Sequence, residues 1–502
     1  MLEIAFRPDP GRREPVYRQL ERNLRALIES GRVVAGERLP PSRELAETLS
    51  ISRNSVNRAY RALLDEGLVR ARVGQGTFVA ARGGPRPAAA AAAEVGSADA
   101  PARGFAWEGL LSARARRRWP PGVHATRRPG VPVRFDFQGG RVDPELFPLG
   151  EWRRVWSRAL AERASELAEP GHPYGLRALR EEIALALVAR GIACEPEHVL
   201  VVNGTQHALD LVSKTLVDPG DVVVMENPGY FGAIEAFGLA GAELVGVGVD
   251  ERGLLIDELA KVLRSRRAKL VYTTPSAQFP TGAVLGEARR SALLELADEH
   301  HVPVFEDDYD SELRFEGPPL PALKTRDPAG RVIYAGTFAK ALFPGLRLGY
   351  VVAAPPLLAR LASARVFGDF ASDAVAQAAV AGLLASGSLE RHVRRTRRVI
   401  ASRREALLAA LEAHMPESAR WTKPAGGHTV WVRLPDDVDP DALALASGEA
   451  GIVYARGDAC SLDGSGAGFA SLAFASQTPE RITEGVACWA RVMSRVRARR
   501  TA

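Results

Sequence analysis

The 502-residue sequence predicts an α/β protein in which a mainly parallel sheet lies between helices, followed by a small α+β portion and preceded by a separate helical unit. Three observations predict it. From Phe135 onward, short apolar runs alternate with amphipathic segments, the pattern of a sheet covered on both faces. Between residues 81 and 131 the composition shifts to Ala, Gly, Pro and Arg, which cannot bury a core and divides the chain. Ahead of that shift the charge is one-sided: residues 1–134 hold 24 Arg against 13 acidic residues, whereas the rest holds 42 basic and 47 acidic residues. Basic charge gathered at one end suits a polyanion-binding module, because each neutralised phosphate releases counterions.

The N-terminal unit is predicted over residues 1–80. Val16, Leu20, Leu24, Leu27 and Ile28 are spaced by threes and fours, one face of a helix that Gly31 stops. A second helix begins behind Pro40-Pro41 with Ser42 as its N-cap and Leu45, Ala46 and Leu49 inward. A third follows Ser52, with Val56, Ala59, Tyr60, Leu63 and Leu64 inward and Gly67 as its stop. Leu68–Ala71 and Thr77–Ala80 read as two strands around the turn Gly74-Gln75-Gly76. Three helices and a hairpin in this order make a winged helix-turn-helix.

Residues 81–131 read as a linker, with a short helix expected from Gly104 to Arg118 that includes the run Arg116-Arg117-Arg118. Residues 132–502 carry the α/β pattern. Val199–Val202, Val222–Met225, Leu270–Thr273, Val302–Glu306 and Val332–Ala335 are predicted strands; Gln206–Leu216, Tyr230–Gly238 and Arg289–His300 are predicted helices. In such sheets ligands bind at the carboxyl ends of the strands. After Pro355 come a long helical stretch and a smaller part with strands near Thr429–Leu434 and Leu472–Phe474.

The three cysteines, Cys194, Cys460 and Cys488, lie far apart, so neither a disulfide framework nor a structural zinc site is expected, and a reducing cytoplasm fits. The first ten residues lack a basic start followed by an apolar run, and no apolar stretch reaches the ~18 residues a membrane helix needs, so a soluble, cytoplasmic protein is expected.

Two constellations carry chemistry. A recognition helix sets its first turn at base edges while its N-terminal amides meet a phosphate. Ser52, Arg53, Asn54 and Ser55 occupy that turn; Arg53 offers the planar fork that suits guanine, and the serines suit backbone phosphate. Arg43 is placed for a further contact, and Gly74-Gln75-Gly76 lets the wing approach the minor groove. In the second constellation, Glu226-Asn-Pro-Gly-Tyr230, Glu306-Asp-Asp-Tyr309 and Thr337-Phe-Ala-Lys340 precede Arg347. A pyridoxal 5'-phosphate site needs an amine for a Schiff base, a carboxylate beside the pyridine nitrogen and a hydroxyl near the ring oxygen, which Lys340, Asp307 and Tyr309 supply. Arg347, Thr337 and the helix start Gly204-Thr205-Gln206 suit a phosphate, and Tyr230 suits stacking on the ring.

The first segment resembles the GntR family of winged-helix regulators through Pro15-Val-Tyr-Arg-Gln-Leu, Leu39-Pro-Pro-Ser-Arg, Val56-Asn-Arg-Ala-Tyr and Gly74-Gln-Gly-Thr-Phe-Val. The second resembles fold-type I aminotransferases over residues 135–495. The combination is similar to the MocR/GabR-like regulators, through Thr274-Pro-Ser-Ala-Gln-Phe-Pro-Thr-Gly282, Glu306-Asp-Asp-Tyr-Asp-Ser-Glu and Gly336-Thr-Phe-Ala-Lys-Ala-Leu-Phe-Pro-Gly-Leu-Arg-Leu-Gly-Tyr350. The resemblance implies a homodimeric regulator that binds operator DNA and uses pyridoxal phosphate on Lys340 to sense an amine or amino-acid-like effector through an external aldimine. The rival expectation is a working aminotransferase with a DNA-binding appendage.

The sequence departs from the family's pattern at several positions. Ala277 replaces a common His, and Phe279 stands where enzymes of the fold often carry an Asn. The slot of the Arg that grips a substrate carboxylate is Ser471, and Gly232 stands where a GABA-sensing member has an Arg. Arg456, on a neighbouring strand, is either a substitute partner for an effector's acid group or a surface or interface arginine.

Overall fold

The computed structural model describes residues 6, 8–9, 14–29, 32–33, 36–65, 68–72, 76–79, 107–112, 115, 126–318 and 320–501. The chain divides into two units, Met1–Pro101 and Ala102–Ala502.

In the first unit the periodic apolar residues form α1 (Val16–Glu29), α2 (Ser42–Leu49) and α3 (Arg53–Asp65), and the hairpin is β1 (Val69–Arg72) with β2 (Gly76–Val79), antiparallel with Val69 opposite Val79. Leu20, Leu24, Leu45, Val56, Ala59 and Leu63 bury their side chains together with Val69 and Val79, so the hairpin closes the helical core. Residues 36–39 add a third strand-like segment to it, with Val79 donating its N–H to Glu37 O and Leu39 donating to Thr77 O, both at 2.9 Å. One predicted cap differs. Ser42 is the first residue of α2 and Pro41 takes the cap position, with no side-chain cap bond; proline's fixed φ already suits a helix entry. The stops Gly31 and Gly67, the turn residues Gly74 and Gln75, and Arg116–Arg118 lie outside the described residues, and of the expected helix 104–118 the described part shows one 3-10 turn, Trp107–Leu110.

The second unit starts earlier than composition suggested. Thr126, inside the predicted linker, is buried; its hydroxyl donates to Tyr454 O at 2.9 Å, and its oxygen accepts from Tyr454 N at 3.0 Å. One threonine bonded to a distant strand edge leaves no compositional trace. The chain then forms β3 (Phe135–Phe137), β4 (Val199–Val202), β5 (Val222–Asn227), β6 (Glu243–Asp250), β7 (Gly253–Leu254), β8 (Ala268–Thr273), β9 (Val304–Asp308), β10 (Val332–Thr337) and β11 (Gly349–Val352). Then come β12 (Arg420–Trp421), β13 (Thr429–Arg433), β14 (Ile452–Arg456) and β15 (Phe469–Ala473). The large sheet has the order β4-β11-β10-β9-β8-β5-β6-β7. The strands β10, β9, β8, β5 and β6 pair in parallel, while β11 runs antiparallel between β4 and β10. Its fully buried strands are near-continuous apolar runs, as expected when helices cover both faces. The small sheet, β12-β13-β15-β14-β3, packs against helices Ser388–His414 and Pro479–Thr501 through a core containing Phe135, Phe137, Leu407, Phe474 and Trp489.

Strand register sets the site. Gly349 on β11 is opposite Val202 on one side and Thr337 on the other, so the ends of β4 and β10 are brought level. A Cβ at Gly349 would lie 2.7 Å from Gly336 O and 3.1 Å from Gly204 Cα. Only glycine allows that approach.

Candidate functional site

The parallel strands end at a cleft of about 600 Å³. Gly204, Thr205, Gln206, Tyr230, Asp307, Tyr309, Thr337, Lys340 and Arg347 all line it, so the cofactor residues expected from the sequence converge from segments far apart in the chain.

Each is held for a local reason. Asp307 is the penultimate residue of β9 with its side chain buried, and Tyr272 on the neighbouring strand β8 donates its hydroxyl to Asp307 Oδ2 at 2.9 Å. Burial pushes the Asp307 carboxyl up to about 7, against the pull of the Tyr272 bond. Lys340 follows β10 by three residues, and its turn is fixed by Ala339 N–H donating to Thr337 Oγ1 at 3.1 Å. Among the described residues, no hydrogen bond or ion pair engages the Lys340 amine. Arg347 sits in the left-handed region at φ 49° and donates from Nη2 to Asn203 O at 3.0 Å. Asn203 Oδ1 in turn accepts from Ser372 at 2.6 Å. Gly204, at φ 84°, caps the helix Thr205–Leu216, whose first backbone N–H groups point into the cleft's end. Tyr309 donates to Ala277 O at 2.8 Å. Tyr230 forms an aromatic wall with Phe231 and Phe279, centroids 4.9 and 5.5 Å away.

Carboxylates beside the cleft are sorted by their partners. Glu226 accepts from Thr273, Thr274 and Gln278, a structural role. Glu306 accepts from the backbone of Leu323 and Lys324 and is pushed up to about 7, mainly by burial. Asp308 is held below the usual carboxylate range despite its burial, because Arg190 Nη2 lies 2.8 Å away and Tyr334 also donates to it. Asp310 meets His428 at 2.6 Å. Sequence reasoning passed over that last pair. Its one signal is Gly426-Gly427-His428 immediately before a predicted strand.

One expectation needs correction. Arg456 does not line the cleft: Asp458 Oδ2 holds its Nη2 at 2.6 Å and Asp441 Oδ1 holds its Nη1 at 2.5 Å, so its charge is already matched. Gln206 lines the cleft, but its side-chain amide is spent on Gly232 O at 2.9 Å, leaving its backbone N–H for a ligand. Ser471 is buried on β15 opposite Trp431 and Ala455 and does not reach the cleft. Gly232 has no room for a side chain, since a Cβ there would lie 2.4 Å from Gln206 Oε1.

In the first unit, Ser52, Arg53 and Asn54 are exposed and Ser55 is half-buried at the start of α3. Ser52 Oγ accepts from Ser55 N–H at 3.1 Å, the N-cap bond of the helix. Arg53 reaches back to Ser42 Oγ at 3.5 Å. Arg43, mostly exposed, stands 3.3 Å from Glu47. Gly76 begins β2, at the end of the wing turn.

A family model for aminotransferase class I and II matches residues 143–487, and one for the gntR family of bacterial regulatory proteins matches residues 16–79. The probable rhizopine catabolism regulatory protein MocR of Rhizobium meliloti is 39% identical over 411 residues, covering 80% of this chain and 78% of that protein. The chain belongs to the MocR-like gntR regulators. Another relative, the HTH-type transcriptional regulator TauR of Rhodobacter capsulatus, is 34% identical over 96% of this MocR-like chain and 98% of its own. The crystal structure of the multiple substrate aminotransferase from Thermococcus profundus superposes with a TM-score of 0.74 at 32% identity, covering 79% of this chain and all of that one. The MocR-like chain is thus a DNA-binding regulator fused to an aminotransferase-like domain.

The aminotransferase class I and II family depends on pyridoxal phosphate. The cleft's donor set fits that group. Asp307 Oδ1 and Thr205 Oγ1 are buried polar atoms with no partner. Such atoms call for a bound group: the first matches a protonated pyridine nitrogen, the second a phosphate oxygen beside Arg347 and the helix N-terminus. Lys340 supplies an unpaired amine in the same cleft. Among the described residues no helix is long and apolar enough to cross a membrane.

Proposed function

We propose that this chain is a cytoplasmic, homodimeric transcriptional regulator that holds pyridoxal 5'-phosphate on Lys340 and reads the concentration of an amine or amino-acid-like effector. The observation that carries the reading is the unpaired Asp307 Oδ1 in the same cleft as the unengaged Lys340 amine. When bound, the cofactor supplies an aldehyde carbon that exchanges one primary amine for another. Asp307 would keep the ring nitrogen protonated, Tyr230 would cover a ring face, and Thr205, Thr337 and Arg347 would hold the phosphate. Lys340 would be displaced by the effector, and the new contacts would favour one arrangement of the DNA-binding units over another. Turnover is not required. Arg53, Asn54, Ser52, Ser55, Arg43 and the wing turn Gly74-Gln75-Gly76 would make the operator contacts.

A second reading, an aminotransferase that turns over, is favoured by the completeness of the cleft and by relatives such as the 2-aminoadipate transaminase of Thermus thermophilus, 37% identical over 72% of this chain. The serine at 471, in the slot where enzymes of the fold carry the carboxylate-gripping arginine, weighs against efficient handling of ordinary α-amino acids. Purified protein given the cofactor should take up its visible absorbance, borohydride should fix the adduct on Lys340, and Lys340→Ala should prevent fixation. A wild type that takes up no cofactor overturns the proposal. Sustained conversion of an amino donor and a keto acceptor at ordinary enzyme rates favours the second reading.

A further inference from the structure

In the cleft, the basic side chains are those of Lys340, Arg347 and His428. Lys340 is committed to the cofactor's aldehyde on the reading above, and Arg347 lies against Gly204 and Asn203 O at the phosphate end. His428 is the remaining cation-forming group, and it is set up to be used. Its Nδ1 is 2.6 Å from Asp310 Oδ2, and the two side chains are 8% and 0% exposed. His428 lines the same cleft, its Nε2 is buried and has no partner, and Asp310 Oδ1 is unpartnered as well.

The ring is rigidly placed from two directions. Phe315 N–H donates to Ala425 O at 2.8 Å and Gly427 N–H donates to Leu313 O at 3.0 Å, tying the chain before His428 to the segment that carries Asp310. His428 O accepts from Phe474 N–H at 3.1 Å, anchoring it to the end of β15. Gly427, at φ 83°, permits the approach: a Cβ there would lie 3.3 Å from Ala277 Cβ and 3.6 Å from Asp310 Oδ2. An oriented imidazole with one nitrogen on a carboxylate and the other unpaired in a ligand cleft is a recognition group awaiting its ligand.

We propose that the Asp310–His428 pair is the effector-recognition group of this protein, with His428 Nε2 donating to the acid group of an anionic primary amine. This rests on the reading that the cleft admits an amine to the Lys340-bound cofactor. The imidazolium donates from both nitrogens, Nδ1 to Asp310 and Nε2 to the effector's carboxylate or similar anion. Asp310 offsets the ring's charge and fixes its direction, so it acts as a positioning residue. In this arrangement the pair fills the role that an arginine at position 471 has in enzymes of the fold, from the segment just before β13, the strand paired with β15.

The test uses the full chain loaded with pyridoxal phosphate and follows its visible absorbance during titration with propylamine, 3-aminopropanoate and alanine. Wild-type protein should respond to at least one acid-bearing amine at a tenfold or more lower concentration than to propylamine. His428→Gln and Asp310→Asn should each reduce that preference at least tenfold while His428→Gln keeps the propylamine response. An acid preference unchanged in His428→Gln, or equal weakening toward all three amines, overturns the assignment of the pair. A wild type that loads cofactor and yet answers no amine removes the sensing reading itself, and the assignment falls with it.

Discussion

A Cβ on Gly204 would come within 3.3 Å of Arg347 Nη2, so the helix N-terminus and the guanidinium share one narrow space at the end of the cleft. Both backbones are left-handed there, at φ 84° and 49°. On the proposed reading the pair forms a single corner for the cofactor's phosphate.

Gly204→Ala should therefore do two things. It forces an L-residue into positive φ, costing about 1–2 kcal/mol of stability, and it pushes Arg347 out of line. Denaturant titration should show the first and equilibrium binding of pyridoxal phosphate a weakening of tenfold or more. Unchanged cofactor affinity would show that the phosphate lies elsewhere.

Asp307 gives a pH signature. Its folded carboxyl is raised to about 7 by burial, while an unfolded chain titrates near ~3.9. Between those values the folded state holds a proton that the unfolded state has lost. The associated stability is complete below pH ~4 and disappears as pH rises through ~7. Cofactor-free wild type should lose more stability between pH 5 and pH 8 than cofactor-free Asp307→Asn, whose amide does not titrate. Glu306 contributes to both proteins alike, so the difference isolates Asp307. Parallel stability curves would exclude this ionisation.

At the DNA interface, Ser52 caps α3 through Ser55 N–H. Ser52→Ala should destabilise the first unit by ~1 kcal/mol. Ser52→Asp keeps a competent cap but sets a negative charge where a phosphate is expected, so it should fold normally and bind operator DNA weakly. Arg53→Ala should cost ~1–3 kcal/mol of operator binding, with the loss depending on operator sequence if Arg53 reads a base. Denaturant titration measures the first and fluorescence anisotropy with operator variants the other two, and an unaffected Ser52→Asp would move the phosphate contact away from this turn.

Arg190→Met tests the buried charge cluster behind Lys340. Asp308 has no exposure and Arg190 about a third. Removing the guanidinium leaves a buried carboxylate with only the hydroxyls of Tyr334 and Ser311, which should cost toward the lower end of ~3–5 kcal/mol. The double change Arg190→Met with Asp308→Asn should recover part of it. No loss in the single variant would mean water reaches Asp308 freely.

Periodicity located the winged helix and the main strands because burial of one face imposes spacing: threes and fours in α1, unbroken apolar runs in β4 and β5. Strand ends were less legible; β9 extends to Asp308, past the predicted end at Glu306, because the acidic residues Asp307 and Asp308 still pair in register with β10. The residues that line the cleft were legible for a chemical reason, since the proposed cofactor asks for an amine, a carboxylate and a phosphate-binding helix start, and each leaves a residue type at a strand end. Arg456 and Thr126 were misread for the converse reason. Their partners, Asp441 with Asp458 and the Tyr454 backbone, are matters of distance in space, about which residue type is silent.

The sequence alone determined the two kinds of domain and the order of their elements, and it singled out the lysine, aspartate and arginine on which the proposed chemistry rests, because patterning and residue type are local properties. Tertiary structure decided which of those groups are unpaired and face one another. Gly349 levels the ends of β4 and β10, and Gly427 lets His428 close on Asp310. Such meetings depend on close packing between segments more than a hundred residues apart, and no spacing along the chain encodes them.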